Sequence, residues 1–183
     1  TGYNGATNYE ITYDVAPTGA GGGGASGTIA ALPGTLWSDY LYWNNQVSPP
    51  QWQVGSTGLH IGAHAGEFGP QGIAGTAVGF YAGYTGQSEF AVAMGASAAA
   101  VNQGANAISI GHNAGYTGQN QQAMALGIDA GFKNQGRNAI SIGGKAGLVD
   151  QGGFAIAIGT NAGEFTQGPS GIAIGNDAGE SNQ

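Results

Sequence analysis

Few residues in this chain could do chemistry, and their spacing argues against most of it. His60 and His64 form an H-x-x-x-H pair, which grips zinc when both rings project from one helix face. Here the pair brackets Gly62, a turn residue, so the spacing loses that meaning and no metal site is expected. The carboxylates Glu67, Glu89, Asp129, Asp150, Glu164, Asp177 and Glu180 are scattered. Glycoside hydrolysis needs two of them held together across a polar cleft, and nothing in the sequence gathers a pair. Cysteine is absent, which removes thiolate ligands and disulfides and leaves the redox compartment undetermined. The expectation is a non-enzymatic protein without cofactor.

Three sets of residues stand out instead. Gln71, Gln87, Gln103, Gln119, Gln135, Gln151, Gln167 and Gln183 recur at one fixed interval. Stacked along an axis, the run from Gln87 to Gln167 would form a structural ladder of amides that satisfy one another. Tyr84, Tyr116, Phe132 and Leu148 share another position of the repeat, interrupted by Ala100. An aromatic ladder of this kind packs against itself or, where exposed, grips a ligand such as a sugar. Trp37, Tyr40, Tyr42, Trp43 and Trp52 pose the same choice nearer the start of the chain. Tyr84, Tyr116, Phe132, Trp37, Trp43 and Trp52 are thus the candidate ligand-contact aromatics. His112 occupies a corner position filled elsewhere by Ile128, Gly144, Thr160 and Asn176, and is expected to be exposed. Asp129 and Asp177 share a corner with Asn113 and Asn161, where Asx turn chemistry is expected.

The element that must position all of these is the repeat itself. Gly79, Gly95, Gly111, Gly127, Gly143, Gly159 and Gly175 keep the same interval as the Gln, and Ala-Gly recurs between them. The sixteen-position unit reads A-I-A-I-G-x-x-A-G-x-x-x-Q-G-x-x. Runs such as Ala107-Ile108-Ser109-Ile110 and Ala155-Ile156-Ala157-Ile158 predict short strands, each ended by a glycine turn. A helix is excluded, because two interior glycines per unit cost about 1 kcal/mol each. At about 3.3 Å per residue one coil has a contour of roughly 53 Å, and eight coils stack over about 38 Å. The fold class expected is an all-β parallel β-solenoid. Its lumen is expected to hold Ile, Val and Ala, with Ile108 and Ile110 on one face of the strand and Ala107 and Ser109 on the other. The small-residue face is expected to lie against a neighbouring chain, which predicts a homo-oligomer. The first unit carries one extra residue between Gly66 and Gln71, and the third replaces its glycine with Ala99. Atypical early units suit the capped end of a solenoid.

The run 155–162, with echoes at 107–114 and 171–178, resembles the YadA-like head repeats of trimeric autotransporter adhesins. It is also similar to β-roll repeats in fibre proteins of phages and large DNA viruses. The resemblance spans residues 58–183, although the family's usual repeat is shorter, without the added Gln-Gly. It implies a left-handed parallel β-roll, three chains per head, an extracellular place on a cell or virion surface, and attachment to a host or matrix receptor, with glycans among the candidate ligands. No stalk, neck or membrane-anchor strands accompany the repeats.

Residues 1–27 are read as a strand (Tyr9 to Val15) followed by a Gly-rich linker. Residues 28–56 are read as an aromatic β-hairpin that caps the first coil, and 57–183 as eight repeat units. The chain opens at Thr1 and is expected to be an excised or mature fragment.

Composition narrows the partners. The net charge is −7, with Lys133, Arg137 and Lys145 the basic residues, so nucleic acid and anionic membrane surfaces are not expected partners. No apolar run reaches the length of a membrane span. The functional expectation is a trimeric fibre or adhesin segment. The alternative is a structural shaft or self-assembling filament subunit, joined end to end and lacking a receptor site of its own. Ice binding is set aside, since the repeat offers no Thr ladder.

Overall fold

The glycine that ends each Ile run decides where the chain turns. In the computed structural model Gly79, Gly95 and Gly111 adopt φ of 131°, 128° and 130°, a region open to glycine and strained for any other residue. A Cβ on Gly111 would also meet the Gly127 carbonyl oxygen at 2.5 Å. Successive coils therefore approach through bare backbone at this corner, and the repeat of glycine follows from the stacking itself.

The structure describes residues 40–44, 47–49, 51–55, 57–69 and 71–181, without the side chains of Trp43, Gln51 and Trp52. The expected strand at Tyr9–Val15, the Gly-rich linker and Trp37 lie outside the described residues. The chain divides into two units, 1–56 and 57–183. In the first, β1 (Tyr40–Asn44) and β2 (Gln51–Gly55) form an antiparallel hairpin with Trp43 opposite Trp52. Gln53 Oε1 accepts hydrogen bonds from the Tyr42 hydroxyl (3.0 Å) and from Asn44 Nδ2 (2.8 Å), fixing that register.

The second unit is a parallel β-solenoid of about seven turns with coils of about 16 residues. One sheet has eight strands: β3 (Leu59–Ile61), β4 (Thr76–Val78), β6 (Val92–Met94), β8 (Ile108–Ile110), β10 (Met124–Leu126), β11 (Ile140–Ile142), β12 (Ile156–Ile158) and β13 (Ile172–Ile174). Opposite runs a sheet of β5 (Thr85–Gln87), β7 (Val101–Gln103) and β9 (Thr117–Gln119). Single bridges continue it through Lys133, Val149, Phe165 and Ser181. The register is Ile108 to Met124 to Ile140 to Ile156 to Ile172, one repeat per step. From β3 to β4 the step, Leu59 to Thr76, is one residue longer than the repeat, which locates the extra residue of the first coil.

What fills the lumen corrects the sequence expectation. Its apolar residues are all alanine, in three columns represented by Ala93, Ala98 and Ala107, joined by Ser109, Ser141 and the Gln ladder. Ile108 is half-buried, and Ile110, with Ile174 at 64 % exposure, is on the outside. The face expected to fill the coil thus points outward, and the small-residue face expected against a neighbour is the core. The reason is the width of the lumen. The methyl of Ala77 or Ala125 would lie 3.3 Å from a Cβ added to the glycine across the coil, Gly83 or Gly131, so a branched side chain has no room there.

Methyl groups bury little apolar area, so the coils are held chiefly by main-chain hydrogen bonds. Ile108 N donates to the Ala123 carbonyl at 3.0 Å and Gly127 N to that of Ile110 at 2.9 Å, a pattern renewed at each step. Among the described residues there is no helix.

Candidate functional site

The Gln ladder lies inside the lumen, each amide from Gln87 to Gln167 essentially inaccessible to water. Gln103 Nε2 donates to the Val92 carbonyl (2.9 Å), the Ala107 carbonyl (3.2 Å) and Gln119 Oε1 (3.1 Å). The same amide-to-amide bond joins Gln87 to Gln103, Gln119 to Gln135, and Gln151 to Gln167. Between Gln135 and Gln151 the chain of bonds runs through Ser141, whose hydroxyl accepts from Gln135 Nε2 (3.2 Å) and donates to Gln151 Oε1 (2.7 Å). Ser109 donates to Gln119 Oε1 in the same way, at 2.7 Å. Each Gln thus ties three strands of coil together, and its amide is spent on protein partners. The ladder breaks down at its start. Gln71, displaced by the extra residue, donates to the Gly83 carbonyl, and Gln87 Oε1 is buried with no hydrogen-bond partner.

The candidate aromatics separate into two groups. Tyr116 and Phe132 stack face to face, centroids 5.0 Å apart and planes at 7°, each half-buried. Tyr84 does not join them, because Ala100 intervenes. It belongs to a second cluster that the repeat count did not reveal. His64 stacks on Tyr81 (4.5 Å, 15°), Phe80 meets Tyr81 edge-on (4.4 Å), Tyr84 meets Tyr81 (4.7 Å), and Phe68 meets Tyr84 (5.1 Å). His64 Nδ1 donates to the Glu67 carboxylate. Loss of water among these rings, then the Glu67 charge and Tyr81, raises the pKa of the Tyr84 hydroxyl. The signal was present in the sequence but offset. His64 and Tyr81, Glu67 and Tyr84, and Phe68 and Thr85 are each separated by one residue more than the repeat, so a count at the repeat interval passes over them. The hairpin places Trp43 and Trp52 opposite each other in backbone register; their side chains, like all of Trp37, lie outside the described residues.

His60 and His64 part company. His60 enters the alanine column of the lumen, opposite Ala77, and burial lowers its pKa. His64 turns out to the corner. His112 is exposed. Asn113 and Asp129 at their shared corner have φ of 54° and 55°, and Asn113 Nδ2 donates to Asp129 Oδ1 at 3.0 Å. Asn161 and Asp177 repeat that bond at 2.9 Å. Left-handed backbone, bridged from coil to coil, is the structural role of this column. Among the described residues no three His, Asp or Glu side chains gather in a metal-binding group, and no helix is long and apolar enough to cross a membrane.

The remaining surface feature is the outer face of the eight-stranded sheet. Two columns run along it, Thr76, Val92, Ile108, Met124, Ile140, Ile156, Ile172 and Ile61, Val78, Met94, Ile110, Leu126, Ile142, Ile158, Ile174. Soluble monomers rarely carry so long an apolar strip.

Comparison with family profiles, with curated proteins and with solved structures returns no match in any of the three.

Proposed function

We propose that this chain is a non-enzymatic segment of a homotrimeric fibre or adhesin that attaches to a host or matrix surface outside the cell. The observation that carries the reading is the inverted distribution of apolar residues: alanine inside, Ile, Val, Leu and Met in two columns outside. A chain that aligns two columns of large apolar side chains on one sheet face has placed them where another copy can bury them. Copies that turn this face toward a common axis form a closed ring, and the resemblance of the repeats to YadA-like heads supplies the number three and the left-handed hand of the roll.

The acidic balance of the chain favours protein or glycan partners over nucleic acid. The uniform coils from β8 to β13 also suit a shaft without a receptor site, which is the second reading.

Light scattering coupled to size exclusion tests the assembly. A mass three times the 18.0 kDa chain is expected, and a stable monomer would overturn it. Binding of that particle to cells or matrix separates an adhesin from a shaft.

A further inference from the structure

The first two coils carry a feature that neither the ladder nor the oligomer face accounts for. At one corner of every coil the chain takes a left-handed conformation, and the residues there are mostly those that tolerate it: Ser97, Asn113, Asp129, Asn161 and Asp177, with φ of 54–55°. The first two coils place His64 (φ 62°) and Tyr81 (φ 57°) at this corner. Histidine tolerates that backbone, whereas Tyr81, like Lys145 at the same corner of a later coil (φ 58°), is strained there. Phe90 and Phe154 are also left-handed, but no ring contact joins them to another aromatic among the described residues. At His64 and Tyr81 the rings converge with Phe68, Phe80 and Tyr84, and with a carboxylate.

We propose that this corner is a binding platform for a neutral or amino-substituted pyranose of a surface glycan. The proposal rests on the attachment reading above and gives it a ligand class. Adjacent rings lie 4.4–5.1 Å apart, meeting edge to face at 71–85° except where His64 stacks on Tyr81 at 15°, so they leave no cage for a quaternary ammonium ion. Phe80 is 54 % exposed, Phe68 44 % and the His64 side chain 40 %. The polar groups lie among them: the Glu67 carboxylate, the His64 ring and the Tyr81 and Tyr84 hydroxyls. A ligand matched to this surface needs an apolar face to lie on the rings and hydroxyls at its edge for the polar groups, as a pyranose has. The chain's net charge of −7 repels uronic and sialic acids and favours an amino sugar. The platform lies at the corner after the Gly62 and Gly79 turns, whereas the two Ile columns lie on the strands before those glycines.

The test uses the whole chain with cellotetraose, chitotetraose and a glucosamine tetramer, and a galacturonic acid tetramer as the acidic control. Saturation-transfer NMR reports contact and tyrosine fluorescence reports affinity. Contact from at least one neutral or amino sugar and none from the galacturonic acid tetramer is expected. Tyr81→Asn, which installs the residue found at the same corner in later coils, should weaken binding about tenfold while leaving the melting temperature unchanged or higher. Tyr116→Leu, copying Leu148 in its column, should bind like the wild type. Unchanged affinity in Tyr81→Asn overturns the proposal, as does lack of contact from every neutral and amino sugar. If the particle still binds cells in that last case, the attachment reading stands and only the platform fails.

Discussion

Replacing Gln119 with methionine keeps the side-chain length and removes its polar atoms, which isolates what the ladder contributes. In the native coil Gln119 Nε2 donates to the Ile108 carbonyl at 2.9 Å, the Ala123 carbonyl at 3.3 Å and Gln135 Oε1 at 3.1 Å. Its Oε1 accepts from Ser109 Oγ at 2.7 Å and Gln103 Nε2 at 3.1 Å. Gln103 keeps two carbonyl partners when that bond is lost, and the Ala123 carbonyl keeps the Ile108 N–H. The Ser109 hydroxyl and Gln135 Oε1 are left buried without these partners. Two such groups at about 1–3 kcal/mol each put the expected loss near 2–6 kcal/mol. Adding Ser109→Ala removes one of the two orphans, so the double variant should regain about 1–3 kcal/mol over Gln119→Met alone. Ser109→Ala by itself should be mild, because alanine occupies the same column at Ala93 and Ala125. Repeat arrays open coil by coil, so native-state hydrogen exchange at the amides of residues 108–135 is the suitable assay. A Gln119→Met chain within about 0.5 kcal/mol of wild type, or a double variant weaker than the single, would refute the ladder as a structural element.

The same geometry predicts a gain. Ser109 and Ser141 each stand one strand-to-strand crossing before the Gln whose Oε1 they satisfy, and Ala77 stands at the same place before Gln87, whose Oε1 has no partner. Ala77→Ser should therefore stabilise the second coil by about 1 kcal/mol, read by hydrogen exchange. Gly111→Ala should destabilise the roll by more than about 2 kcal/mol, because it combines strained φ with a main-chain clash; a lowered melting temperature checks it. Ile110→Asp with Ile142→Asp should leave the circular dichroism of the roll intact while reducing the solution mass to that of one chain. For His60 the folded pKa is lowered by burial from its ordinary 6.5. The unfolded chain therefore binds the proton first, and stability is full above pH 6.5 and falls as pH drops toward the folded pKa. Exchange at the first-coil amides should rise on that acid side, and His60→Ala should abolish this pH dependence.

The sequence by itself determined the coil. Glutamine and glycine at a constant interval admit no helix, and a short β-branched run before each glycine requires a strand and a turn, so parallel stacking at one repeat per step follows from Gln87, Gln103 and Gln119 alone. It also marked the first coil as irregular through the extra residue before Gln71. The direction in which each strand presents its side chains was decided only by the tertiary structure. Ile108 and Ser109 alternate, and both faces are free of charge, so pattern offers no sign by which to tell inside from outside. The closed coil supplies it: with methyl groups and Gln amides facing each other across the lumen, no volume remains for isoleucine. The cluster around Tyr81 was hidden for a related reason. Its members become neighbours through a step one residue longer than the repeat and a turn of the chain at Gly79, and the adjacency of rings across two coils exists only once the coils are stacked.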